Sequence, residues 1–123
     1  MSLWKYFKKS TGLPFFDSMM DNPEYFKKAK GMTFHIASMS PQDYLIECAK
    51  AGETSLARQI EITSSNLVKE YADRARSGSK MPLPYIQYDS DGYVSQEGRH
   101  RARVAQELGL KKMPVLIIKR KLK

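Results

Sequence analysis

The chain has 123 residues, a length that fits one compact domain, with 41% hydrophobic residues, one cysteine and a formal net charge of +8. No apolar run reaches the roughly 18 residues of a transmembrane helix, so no membrane span is expected, and a single cysteine excludes an intrachain disulfide framework. The excess of lysine and arginine favours polyanionic partners: nucleic acid, nucleotides or an anionic surface.

The opening stretch, MSLWKYFKKSTG, is too interrupted by lysine for the apolar core of a signal peptide. The cytoplasm is the expected compartment, that of a host cell if a phage encodes the chain. Residues 1–31 are rich in aromatics and lysine, with Trp4, Tyr6, Phe7, Phe15, Phe16, Tyr25 and Phe26. Asn22-Pro23-Glu24 has the chemistry of a helix start, Asn as cap and Pro in the first turn, and Gly31 can end that helix. The segment is expected to form a helical arm packed on a main domain of residues 32–123. Its aromatics would serve packing, self-association or a protein partner; stacking on bases is the alternative.

MTFHIASM (32–39) alternates as a strand, with Thr33 and His35 on one face and Phe34 and Ile36 on the other. Ser40-Pro41-Gln42-Asp43 combines a cap, a helix-starting proline and a capping-box acid. That helix runs through Tyr44, Leu45 and Cys48 to Gly52, with Cys48 on its apolar side, where a buried thiol is expected. Residues 53–63 are ambiguous, RQIEIT alternating like a short strand. SSNLVKEYADRARSG (64–78) is an amphipathic helix, with Leu67, Val68, Tyr71, Ala72 and Ala75 as its apolar stripe and Gly78 as its stop.

MPLPYIQYD (81–89) reads as a strand with its prolines near the beginning. Asp89-Ser90-Asp91-Gly92 is a turn, and YVSQ (93–96) leads out of it as a short strand. A helix over 99–108 buries Ala102, Ala105 and Leu108 and ends at Gly109. MPVLIIKRK (113–121) is the final strand, apolar enough to be central or half-buried. The succession is that of a small α+β domain, a mixed sheet with packed helices.

Charge concentrates in EGRHRAR (97–103), where a strand passes through Glu97-Gly98 into a helix. A helix start carries partial positive charge and unsatisfied N–H groups, so cations crowded there are unfavourable unless an anion meets them. Glycine removes the side chain that would keep an anion from the backbone. The N–H groups of Gly98, Arg99 and His100 can then converge on one phosphate. Arg99 and Arg103 share a helix face while Arg101 projects from the opposite side, so one arginine would reach the anion and another a neighbouring group. An Arg-rich helix is also an ordinary solvated surface.

Glu97 would repel a phosphate unless it were protonated, metal-bound or acting as a base; capping the helix dipole is its other reading. Asp43 is the second candidate carboxylate, although the capping box already accounts for it. Arg103, Lys119 and Arg120 are candidate contacts to nucleic acid or a second anion, the KRKLK end being otherwise a solvated tail. His35 reads as a strand-face residue. Two histidines and one cysteine, widely spaced, make no metal-ligand pattern.

Glu97-Gly98-Arg99-His100-Arg101-Ala102, followed by Ala105, Leu108-Gly109 and Met113-Pro114-Val115, resembles the signature of the ParB/sulfiredoxin superfamily. The helix over 64–77 and the Pro-rich strand over 82–88 fall in the order that family uses. The likeness covers residues 60–118, extends loosely over 32–59 and does not include 1–31. Members include CTP-binding partition clamps, sulfiredoxins that use ATP, free-serine kinases and ParB-like nuclease domains.

The resemblance implies a ParB/sulfiredoxin-like fold in which Gly98, Arg99, His100 and Arg101 contact nucleotide phosphates. It implies a nucleotide of the ATP or CTP class, with Mg²⁺ as cofactor, that is bound and then hydrolysed or used for phosphate transfer, Glu97 or Asp43 being the available base. Arg99 stands where sulfiredoxins carry cysteine, so their thiol chemistry is not expected. No helix-turn-helix follows the last strand, so operator binding is not expected either. Two alternatives stay open. One is a nucleic-acid-binding or nuclease domain of a phage or mobile element, holding a DNA or RNA backbone phosphate. The other is a non-catalytic accessory protein that binds a partner through residues 1–31.

Overall fold

The computed structural model describes residues 15–16 and 31–121. Strand β1 (Met32–Met39) leads into helix α1 (Pro41–Ala51), whose start is set by local chemistry. The Ser40 hydroxyl accepts from the Asp43 N–H at 3.0 Å and Pro41 occupies the first turn. The segment with strand-like alternation is instead a short helix, α2 (Leu56–Glu61). Ser55 caps it, accepting from the Arg58 N–H at 3.1 Å. Gln59 turns inward at 3% exposure while Ile60 and Ile62 remain 37% and 38% exposed. The serine cap outweighs the two-residue spacing of the isoleucines.

Helix α3 (Ser65–Arg76) begins the same way, with the Ser64 hydroxyl accepting from the Leu67 N–H. It buries Val68, Ala72 and Ala75, whereas Leu67 is 37% exposed. Pro82 and Pro84 stay outside strand β2 (Tyr85–Asp89), sparing the ladder two missing donors. A turn through Gly92 returns the chain as β3 (Val94–Glu97), followed by helix α4 (Arg99–Glu107) and strand β4 (Met113–Arg120). On α4 the buried residues are Ala102, Val104 and Ala105. Val104 thus joins the expected apolar face, and Leu108, half-buried, caps the helix end.

These elements form an α+β domain, with a four-stranded mixed sheet in the order β1-β4-β2-β3 and four helices among the described residues. β4 runs antiparallel to β1, placing Phe34 opposite Ile118, and parallel to β2, placing Tyr85 beside Leu116. Val115, Leu116, Ile117 and Ile118 are all buried. An unbroken apolar run is what a central strand covered on both faces requires.

The core gathers Tyr44 and Leu45 of α1, Leu83, Ile86 of β2 and Val104 of α4. Phe16 belongs to the same core at 0% exposure and bridges in parallel to Met81. The helix expected after Asn22 lies outside the described residues. No helix among those described is long and apolar enough to cross a membrane.

One buried charge fastens the far end of the central strands. The Asp89 carboxylate, 1% exposed, accepts from Gln87 Nε2 at 2.8 Å and from Arg120 Nη2 at 2.6 Å. The Gln87 hydrogen bond, joined by the Arg120 guanidinium, holds the carboxyl below its ordinary range.

Candidate functional site

Gln96 to Arg101 turn from the end of β3 into α4, and the turn pivots on Gly98. Its φ of 141° and ψ of 18° lie where glycine is strongly favoured. Among the described residues no side chain caps α4, although the Gly98 carbonyl accepts from the Ala102 N–H at 2.9 Å to close the first turn. The space that a Gly98 side chain would take is filled by the core, so what the structure gives for the missing side chain is a packing role. A Cβ on Gly98 would sit 2.8 Å from Pro84 Cα and 3.0 Å from Tyr44 Oη, so the backbone rests directly on the core.

The turn opens onto a cleft of about 360 Å³. Leu67 and Tyr71 of α3 form one wall; Gln96 and Glu97 of β3 with Gly98, Arg99, His100 and Arg101 form the other. A second cleft of about 380 Å³ shares Tyr71 and Arg101 with the first and continues past Arg74, Ser79 and Lys80. The Arg74 guanidinium lies 5.6 Å from the centroid of the Tyr71 ring and pairs with Glu70 at 2.6 Å.

The expected site residues divide by what holds them. Arg99 is half-buried and donates to Gln59 Oε1 at 3.4 Å, a long contact that leaves the guanidinium beside the cleft. Gln59 is in turn fixed by its Nε2 donating to Thr54 Oγ1 at 2.9 Å. His100 Nε2 accepts from the Ser64 N–H at 3.1 Å, which makes that nitrogen the acceptor and Nδ1 the ring's donor, beside the main-chain N–H. Arg101 donates to the Glu97 carboxylate and to the carbonyls of Glu97 and Leu83. Glu97 and Arg101 are thus brought together as an ion pair inside the cleft wall.

The other candidates lie elsewhere. Asp43 is exposed in the first turn of α1 and does not line the cleft. Arg103 donates to Gln106 Oε1. Lys119 is exposed on β4 opposite Thr33, and Arg120 is committed to Asp89. His35 is exposed on β1, as a strand-face residue would be. The cleft walls Leu67 and Tyr71 were legible only as part of an apolar stripe. Their four-residue spacing at its edge is the signal for a wall facing α4.

Among the described residues no group of three or more His, Cys, Asp or Glu side chains could hold a metal ion. Among the described residues Glu97 is the one carboxylate that lines the cleft, so a Mg²⁺ ion there would need a ligand's own phosphates for most of its coordination. What the geometry offers is an uncapped helix start and an adjacent arginine, a combination suited to oxyanions. No family model, curated protein or solved structure matches the chain.

Proposed function

We propose that the chain is a phosphate-binding domain of ParB/sulfiredoxin type that takes a nucleotide of the ATP or CTP class in the cleft at the start of α4. The observation that carries this function is that the first turn of α4 has no side-chain cap among the described residues and opens into a cleft also lined by Arg99. The main-chain N–H groups of this turn would meet one phosphate and Arg99 a neighbouring oxygen pair. Such groups are fixed before the ligand arrives and do not reorganise as charge develops on it, which suits phosphoryl transfer or hydrolysis. Mg²⁺, when bound with the phosphates, would supply further charge neutralisation. The motif Glu97–Ala102 supports a nucleotide rather than free phosphate through the family resemblance alone.

Thermal-shift titration with ATP, CTP and GTP, with and without Mg²⁺, tests the proposal. One nucleotide should raise the unfolding midpoint by several degrees, and Arg99→Ala should weaken its binding about tenfold, the scale of a charge-assisted contact. No stabilisation by any of the three at millimolar concentration would remove it.

The net charge of +8 favours a second reading, in which the same turn holds a nucleic-acid backbone phosphate. Fluorescence anisotropy with a labelled oligonucleotide separates the two. Backbone binding weakens steeply with salt, whereas undetectable or salt-independent binding argues against it.

A further inference from the structure

The two members of the Glu97–Arg101 pair differ in how firmly they are held. The Arg101 side chain is 11% exposed, and besides the carboxylate its Nη2 reaches the carbonyls of Glu97 at 3.2 Å and Leu83 at 3.5 Å. Those carbonyls belong to the backbone framework and keep the guanidinium in place. The Glu97 side chain is 46% exposed at the end of β3, on the rim of the cleft. An ion pair with one anchored and one mobile partner opens from the mobile side, and here that side is the carboxylate.

On the footing of the phosphate-binding function proposed above, we infer that Glu97 is a resident counter-anion of Arg101 that a polyphosphate ligand displaces. The ligand takes the place of the carboxylate on the guanidinium, and Glu97 turns out to solvent. The exchange answers why an acid sits beside a cluster of cations at a helix start: it neutralises Arg101 while the cleft is empty of ligand. It also sets the ligand class. A small monoanion offers Arg101 no more than the carboxylate already does, and the carboxylate is tethered at high effective concentration. A polyphosphate can occupy Arg101, Arg99 and the α4 N–H groups together, which one carboxylate cannot match.

The test uses the full chain with inorganic pyrophosphate and acetate as probes, measured by calorimetry and by the side-chain carboxyl ¹³C resonance of Glu97. Wild type should bind pyrophosphate and not acetate, and its Glu97 carboxyl resonance should move as pyrophosphate is added. Glu97→Gln should bind pyrophosphate roughly fivefold tighter, the upper scale of a partly exposed ion pair, and should begin to bind acetate. Equal affinities for the two proteins with an unmoved carboxyl resonance would overturn the displacement while leaving the phosphate site intact. Weaker binding by Glu97→Gln would also overturn it, since Glu97 would then assist the ligand. Pyrophosphate binding by neither protein would overturn the phosphate-binding function itself. The carboxyl resonance is read on wild type, so a folding defect in the variant cannot hide the answer.

Discussion

Gly98 rests against Pro84 so closely that a single methyl group between them has no room. A Cβ at Gly98 would lie 2.8 Å from Pro84 Cα, and the residue adopts a φ of 141° that other amino acids rarely take. Backbone strain and steric overlap therefore act together at the point where β3 becomes α4. Gly98→Ala is expected to destabilise the fold by about 3 kcal/mol, the sum of a strained backbone and an overpacked contact. Urea unfolding measures it, and a variant as stable as wild type would mean that the turn has slack to move away from Pro84.

The starts of α3 and α4 are tied through one residue. Ser64 donates its N–H to His100 Nε2 at 3.1 Å, and its hydroxyl accepts from the Leu67 N–H at 3.3 Å. The helices joined in this way carry the two walls of the cleft. His100→Ala should cost about 1 kcal/mol, a typical net value for one hydrogen bond, and Ser64→Ala about 1 kcal/mol through loss of the cap. Hydrogen exchange distinguishes the routes. His100→Ala should accelerate exchange at the Ser64 amide and Ser64→Ala at the Leu67 amide; no change at either amide would show that water serves these groups equally well.

What the sequence discloses about this chain follows how local each cause is. Ser40, Ser64 and the glycines that end helices act within four residues of themselves, so α1, α3 and α4 are legible with their approximate bounds. β4 is legible because a central strand needs no alternation. α2 is not, because Ile60 and Ile62 imitate a strand and the Ser55 cap is a single weak signal. The Glu97–Gly98–Arg99 turn could be located from charge and glycine placement. The packing of Gly98 on Pro84 could not, since the two are 14 positions apart with a hairpin between them. Likewise Arg120 reads as a free cation of a basic tail, and only the parallel register of β2 with β4 sets it beside Asp89.

Cys48 supplies a chemical check on the packing of α1. The thiol is 2% exposed, and burial pushes its pKa up to about 11. Against an ordinary thiol at pH 8, a shift of this size removes about 99% of the thiolate, the reactive form. Native protein should react with an aromatic disulfide reagent at least a hundredfold more slowly than protein unfolded in urea. Rapid labelling of native protein, with no lag for opening, would contradict the buried placement of Cys48 between α1 and the sheet.

Asp89 makes stability depend on acid. Its carboxyl is held below the ordinary range in the folded chain, first by the hydrogen bond from Gln87 and then by Arg120, while the unfolded chain restores an ordinary aspartate of pKa about 3.9. A group whose folded pKa is depressed contributes its full stabilisation above the unfolded pKa. That contribution declines as pH falls below about 4 and is gone once pH has passed through the folded value. Asp89→Asn cannot lose a charge it lacks, so its urea midpoint should fall less steeply than that of wild type between about pH 5 and pH 2. At pH 7 the same variant should be the less stable protein, because Arg120 keeps its charge without its partner. Parallel acid curves for the two proteins would mean that Asp89 gains nothing from Gln87 and Arg120, and that the acid sensitivity of the chain lies at other carboxylates.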